Sequence, residues 1–402
     1  MTFVAASYAQ SAPARQSQLP ADSGPGSPFG RFAAAILDRA WTLDDTARGA
    51  TRGRALRNAT IANRRRKIGQ REDDVSIFSR RSFVLGSGAA ALLAGRSFAQ
   101  DAYPTRTITV INPFPPGGAS DVVSRPLVAA MEPIVKQPVI IETKAGAAGA
   151  IGAQFAATAK PDGYTLLSHI TSISGFAEVD RLFGRQPKFT NADFIPLARV
   201  VADPCVIIVN DQQKWTSLKD FIDDAKAHPN QIIYSSSGLY GALHIPMALF
   251  AKAAGDLKLR HLPTAGGGPA LTALLGNNSQ ALASSVSACL SQIKAGKARA
   301  LASFGGERSK ALPEVPTLKE LGFNVEYYLW VGMFAPKGTP DAVVSKLRTV
   351  LSEAAHTDSF KAALVNLGQD LAYLDQPEFA KFWDADAQHI QDAVRQIGKV
   401  EG

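Results

Sequence analysis

Residues 107–121, TITVINPFPPGGASD, join three kinds of local order in one short stretch. Thr107–Phe114 is dense in β-branched residues, which suit an extended, pleated backbone, and it reads as a strand. Gly117-Gly118 lets the chain turn tightly, and Ser120 or Asp121 is suited to cap a helix running to about Pro133. A strand passed through a glycine turn into a helix opens a βαβ unit. The pattern recurs downstream. Pro138–Thr143 reads as a second strand, followed by a Gly-rich turn and an Ala-rich helix to about Ala159. Tyr164–Ile170 is a third. Val206–Asn210, Ile232–Ser236, Leu259–Pro263, Gln280–Ser285 and Ala298–Phe304 follow, each trailed by helix-compatible sequence. This alternation predicts an α/β architecture with parallel-dominated sheets. Pro340–Gly398 reads as mostly amphipathic helix, with Gln369–Leu374 as an edge strand.

Two apolar runs stand apart from this rhythm. Ile195–Asn210, broken by Asp203-Pro204, is too long for one average strand, and Val325–Pro336 is a second long run. Two long strands flanking a block of sequence predict one lobe inserted into another through a two-strand hinge. Lobe 1 would comprise residues 103–202 plus 328–402, and lobe 2 residues 203–327. Ligands in such architectures sit in the cleft between the lobes.

The chain has 402 residues, 46% hydrophobic and 19% charged, with 33 Gly, 24 Pro and 2 Cys. That composition excludes a disordered chain, a collagen, a coiled coil and a disulfide-stapled mini-domain. The net charge of +8 is confined to residues 1–100, which hold 15 Lys/Arg and 7 Asp/Glu; the remainder holds 28 of each. A basic surface for nucleic acid is therefore not expected.

Ser79-Arg80-Arg81-Ser82-Phe83-Val84-Leu85 opens a charged-then-apolar pattern that ends at Ser97-Phe98-Ala99. Small residues stand three and one positions before a cut after Ala99. The apolar stretch Phe83–Gly95 would span about 20 Å as a helix, short of the ~30 Å hydrocarbon core. The pattern resembles a twin-arginine secretion signal over residues 75–99, which predicts a periplasmic mature chain. No Cys follows the cut, so a lipid anchor is not expected. Residues 1–74 lack long apolar periodicity and read as a disordered extension or an artefact of gene-start assignment, with Val75 as an alternative initiator.

The loop Pro113–Asp121 offers backbone N–H groups at the positive end of a helix, a ready site for an anion. It also reads as an ordinary capped turn. Gly146-Ala147-Ala148-Gly149-Ala150-Ile151-Gly152 lacks the closely spaced G-x-G opening and the later acidic residue of a dinucleotide loop. Ala265-Gly266-Gly267-Gly268-Pro269 is a third loop of this type. No P-loop, G-x-S-x-G in the mature chain, C-x-x-C or metal-spaced His pattern occurs. No cofactor, metal or catalytic residue is expected. Cys205 and Cys289 read as buried small apolar residues or as a disulfide, and His244, at a strand-to-helix turn, as a ligand contact or a turn support.

The ordered set Tyr103-Pro104-Thr105-Arg106, Pro113–Asp121, Asp162-Gly163-Tyr164-Thr165-Leu166-Leu167, Ala270–Gly276, Ile293-Lys294-Ala295-Gly296-Lys297, Leu312-Pro313-Glu314-Val315-Pro316-Thr317, Trp330-Val331-Gly332 and Ala335–Pro340 resembles one family. It is that of the extracytoplasmic solute-binding receptors of tripartite tricarboxylate transporters, the Bug-type receptors. The resemblance covers Tyr103 to about Val400. It implies a two-lobed periplasmic-binding-protein fold, type II-like, that closes on a small organic acid and delivers it to integral-membrane transporter subunits. By the same resemblance, Phe114, Gly118, Ala119, Ser120, Asp121, Ser172 and Ser174 hold one carboxylate. Ser236, Gly241, Ala242, His244, Thr264 and Ser284 cover it from the second lobe. A monomer is expected.

The sequence departs from the family where ligand choice is decided. Thr143-Lys144-Ala145-Gly146 replaces Asn-Arg-Pro-Gly, Thr264-Ala265-Gly266 replaces Tyr-Lys-Gly, and Ser284-Ser285 replaces Asp-Asn. Smaller, neutral residues favour an aromatic or otherwise bulky acid over an amino acid, although Asp121 offers an ammonium a partner. The alternatives are a secreted α/β enzyme using its Gly-rich loops for phosphate or nucleotide, and a sensor feeding a membrane signalling protein.

Overall fold

The computed structural model describes residues 103–400. The twin-arginine pattern, its cleavage site and the segment before them lie outside the described residues. Strands β1 (Ile108–Asn112), β2 (Val139–Thr143) and β3 (Thr165–Ile170) alternate with helices α1 (Ala119–Val135) and α2 (Ala150–Ala157). Helix α3 (Phe176–Leu182) precedes the long strand β4 (Phe194–Asn210) and helix α4 (Leu218–Ala227). A second alternating series follows: β5 (Ile233–Ser236), α5 (His244–Ala253), β6 (Arg260–Pro263), α6 (Gly267–Leu275), β7 (Ala281–Ser285), α7 (Val286–Lys294) and β8 (Ala298–Ser303). Strand β9 (Tyr328–Pro336), helices α8 (Asp341–Ala355) and α9 (Asp358–Asn366), the two-residue β10 (Leu374–Asp375) and α10 (Gln376–Ile397) close the chain.

The strand order is β2-β1-β3-β9-β4-β7-β5-β6, with β8 and β10 also paired to β4. The flanks match the βαβ rhythm: β1 runs parallel to β2 and β3, and β5 parallel to β6 and β7. The centre is antiparallel, because β9 pairs with both β3 and β4, and β4 with β7, β8 and β10. Strand/helix alternation predicts parallel neighbours, and it carries no signal for a strand that returns from far along the chain.

Strand β4 is continuous through Asp203-Pro204. Proline has no N–H to give a ladder, so it is confined to places where the ladder changes. Here Pro204 is the last β4 residue in register with β9, opposite Tyr328, and at Cys205 the ladder with β7 begins, opposite Ser285. Val206–Val209 are fully buried, as expected of a strand covered on both faces. Asp203, also buried, accepts the Ser287 N–H at 2.8 Å and thereby satisfies the first turn of α7 from another element.

Two segments differ from the sequence expectation. In Gln369–Leu374 the regular ladder begins only at Leu374, continuing with Asp375 opposite Arg199 and Ala198 of β4, and ahead of it the Ala372 N–H donates to Val200 O at 3.2 Å. Gly368, with φ +69°, ends the preceding turn and sends the chain along β4 irregularly. After β8 no helix forms. Instead residues 304–327 fold back through Phe304 N–H to Cys205 O (2.8 Å) and Tyr327 N–H to Phe304 O (3.0 Å).

An aromatic cluster fixes β9 to α10. Phe334 lies 4.8 Å from Trp383 and 5.5 Å from Phe379 between ring centroids, and Trp330 lies 5.7 Å from Phe379. Gly332 makes room for it, since a Cβ there would stand 2.6 Å from the Phe379 ring. Phe334→Ala removes the shared centre of this cluster and is expected to cost about 3–5 kcal/mol, read from the urea midpoint at unchanged slope.

Candidate ligand cleft

The β1–α1 turn is built by Asn112, Gly117 and Asp121. The Asn112 side-chain oxygen accepts the Phe114 N–H (3.3 Å) and the Ser120 hydroxyl (3.0 Å). Gly117 takes φ +87° and donates its N–H to Asp121 Oδ2 at 3.1 Å. The other Asp121 oxygen is 2.7 Å from Arg125 Nη2. Asp121 thus folds back on its own loop with its charge matched. The N–H groups of Ala119 and Ser120 fall in the first helical turn, where no intrahelical acceptor exists.

Opposite this turn stand the loops of the β5–β7 series. Gly266 packs on Pro115, Gly267 on Gly118, and Gly268 on the Pro116 carbonyl. A Cβ on Gly267 would lie 3.3 Å from Gly118 Cα, and one on Gly268 only 2.2 Å from Pro116 O. The two loops therefore touch backbone to backbone. Behind this seam is a cavity of about 10 Å³, the space of one water, lined by Phe114, Gly118, Ala119, Ser120 and Ile170 on one side. Ser237, Leu243, Gly267, Ser284, Ser285 and Ala288 line the other, and Leu329 of β9 closes it.

Of the residues singled out from sequence, Phe114, Gly118, Ala119, Ser120 and Ser284 line this cavity. Thr264 lines a larger neighbour and places its hydroxyl 2.8 Å from both the Ser236 and Gly266 carbonyl oxygens. Ser236 lies 2.6 Å from His261 Nε2, and Gly241 and Ala242 shape the turn into α5. His244 is buried, accepts the Tyr240 N–H at 3.2 Å, and lies 4.5 Å from the His261 ring. Ser172 is buried in the short turn 171–174 without a hydroxyl partner. Ser174 donates to Asp386 (3.2 Å) and accepts the Trp383 indole N–H (3.1 Å), so it braces α10. Ser237 and Ser285 adjoin residues already named. Leu329 had no signal beyond its apolar run.

The neighbouring cavity measures about 940 Å³. Phe176, Phe183, Phe189 and Tyr240 give it an aromatic wall, and Arg185, Lys188 and Lys399 give it cations. Ala148 and Gly238 approach across it, the glycine leaving 3.1 Å where its Cβ would meet that of Ala148. No group of three or more His, Cys, Asp or Glu suited to a metal occurs among the described residues. Cys205 and Cys289 are both buried and free.

Burial is the main cause of three lowered imidazoles: His169 and His261 at about 4 and His244 at about 3, against an ordinary 6.5. Asp203 and Asp386 are raised by burial from 3.8 to about 6. The imidazoles stabilise the fold above 6.5 and lose that contribution as the pH falls, because the unfolded chain then binds their protons. The two carboxyls act in the opposite sense over 6 to 3.8. Three groups outweigh two, so the thermal midpoint is expected to fall between pH 6.5 and 4.5. His244 is expected to keep neutral-imidazole NMR shifts throughout that range.

A family model described as tripartite tricarboxylate transporter family receptor (TctC) matches residues 123–399. BugT of Bordetella pertussis is 32% identical over 318 residues, covering 79% of this chain and 95% of its own length. The structure of the periplasmic binding protein BugD aligns with a TM-score of 0.69 at 28% identity, covering 74% of this chain and 99% of that one. MatC from Rhodopseudomonas palustris, solved with bound malate, aligns with a TM-score of 0.67 at 27% identity, covering 72% and 99%. Matched from α1 to its C-terminal end, the chain belongs to the tripartite tricarboxylate transporter receptor family.

Proposed function

We propose that this receptor captures a small organic carboxylate in the periplasm, between the glycine loops, and presents it to membrane subunits of a tripartite transporter. The observation that carries the reading is the meeting of the β1–α1 turn with the Gly266–Gly268 loop over a shared small cavity, in whose mostly apolar lining Ser120, Ser237, Ser284 and Ser285 stand. Helix α1 offers an anion the N–H groups of its first turn together with the positive end of its dipole. Neutral donors of this kind hold a carboxylate without the desolvation cost of a buried ion pair. The malate bound to MatC supports the ligand class.

A cavity of about 10 Å³ holds no organic acid, so binding requires the loops to part. Residues 103–202 with 328–402 and residues 203–327 then act as two lobes, bending where β4 and β9 cross between them. Ser284, Thr264 and the aromatic wall of the 940 Å³ cavity favour an acid with a bulky or aromatic tail, whose far end extends toward the Lys188 side. The receptor works as a monomer and reaches the periplasm by the twin-arginine route through Arg80-Arg81.

A thermal-shift panel of aliphatic di- and tricarboxylates, aromatic acids, acidic amino acids and a nucleotide control tests the ligand class. At 100 times its Kd a ligand adds about 2.7 kcal/mol, which raises the midpoint by several degrees. A shift with the nucleotide alone would overturn the carboxylate reading, and a shift with aspartate but no aromatic acid would overturn the bulky-tail preference. Gly268→Ala places a Cβ against Pro116 O without a backbone conflict of its own, and is expected to weaken the selected acid at least tenfold in calorimetry. Arg80→Lys with Arg81→Lys is expected to leave folded protein in the cytoplasm; normal periplasmic delivery of that variant, read by fractionation, counts against the export route.

A further inference from the structure

Beside the crossing strands β4 and β9 lies a third cavity, of about 700 Å³, that shares no residue with the two just described. Its walls come from β4 (Arg199, Ala202), the entry to β9 (Glu326, Tyr327, Tyr328), α10 (Phe382, Asp386) and α5 (Leu249). Three features set it apart from an ordinary surface groove. First, Arg199 is half-buried and uses only part of its donor set: Nε donates to Ala372 O at 3.1 Å while the guanidinium lies over the Phe382 ring at 4.4 Å. It forms no ion pair among the described residues. Second, Asp386 and Glu326 line the same cavity, and neither forms an ion pair among the described residues. Asp386 accepts the Ser174 hydroxyl at 3.2 Å, and the Arg199 guanidinium and the imidazole of His389, which also lines the cavity, are its charged neighbours. Third, Tyr327 is buried and its hydroxyl has no partner.

Opposite charges that share a cavity without pairing leave a gap suited to a molecule carrying both signs. A simple anion reaching Arg199 meets the two carboxylates, and a simple cation reaching them meets Arg199; a zwitterion satisfies both ends. Tyr328 and the edge of the Phe382 ring, one face of which Arg199 covers, supply contact for an apolar or aromatic tail. We propose that this hinge cavity is a second ligand site that takes a zwitterionic amino acid with an aromatic side chain. The α-carboxylate lies on Arg199, the ammonium on Asp386 and Glu326, and the side chain against Tyr328 and the edge of Phe382. Its walls include both strands about which the cleft opens, so, on the closure reading above, its occupancy changes the affinity of the cleft for its acid. By linkage the acid changes the affinity of this site by the same factor.

Calorimetry with L-phenylalanine, 3-phenylpropionate (no ammonium) and phenethylamine (no carboxylate) tests the site directly. Saturable binding of L-phenylalanine is expected, at least tenfold tighter than either analogue. Arg199→Gln and Asp386→Asn are each expected to weaken it tenfold or more. Because both residues pack against other elements, Glu326→Gln, at an exposed position, serves as the control that leaves the fold untouched, with a smaller loss in the same direction. Gly268→Ala, which acts on the cleft, is expected to change L-phenylalanine binding less than Arg199→Gln does, and only through the coupling. No saturable binding to about 10 mM, equal binding of the single-charge analogues, or loss in Gly268→Ala with none in Arg199→Gln and Glu326→Gln would each overturn the proposal. Only the last points to the cleft, which separates failure of this site from failure of the carboxylate reading. An L-phenylalanine affinity that stays constant while the cleft is saturated with its acid overturns the coupling alone.

Discussion

Every pairing between the β1–β3 group and the β5–β8 group runs through β4. Its first half is laddered to β9 and its second half to β7 and β8, so one strand carries both ladders and leaves neither with a free central edge. That single constraint explains much of the local chemistry. The second half must be apolar on both faces. The proline must sit where one ladder ends and the next begins. A carboxylate placed at the same point, Asp203, must find donors inside the protein, and it finds one at the start of α7. The loops at the cavity follow from this arrangement, because strands that converge on β4 from both sides bring their glycine turns face to face.

Closeness at that meeting is a matter of missing side chains. Gly118, Gly267 and Gly268 sit at ordinary negative or extended φ, so their role is not to relieve a strained turn. They let two backbones touch. Gly117 is different, since its φ of +87° is a conformation that side chains avoid. The same short motif therefore contains one glycine for the turn and another for the approach.

Local patterns made the flanks legible and the centre not. Strands and helices from Ile108 to Ile170, and again from Ile233 to Ser303, follow from β-branched runs and glycine turns read a few residues at a time. The antiparallel insertion of β9 between β3 and β4 depends on partners more than 120 residues apart and has no local signature. At the cleft, the β1–α1 turn could be named because its glycines and capping residues are adjacent in sequence. Ser174 and His244 looked equally polar and equally well placed on a loop, yet their hydrogen bonds go to α10 and to the α5 turn. Which way a buried hydroxyl or imidazole points is decided by elements that arrive later in the chain.

The position of β9 also sets an order of events during synthesis. Leu167 pairs with Phe334, so β3 keeps an open edge until the chain has been made almost to its C-terminal helices. The β5–β8 group lies wholly within the intervening stretch, and its parallel strands can pair with β4 first. Long-range closure of this kind is slow, and an open β3 edge is a template for pairing with another chain. A nascent polypeptide of this receptor, released or stalled before residue 336, leaves that edge exposed as a template for pairing.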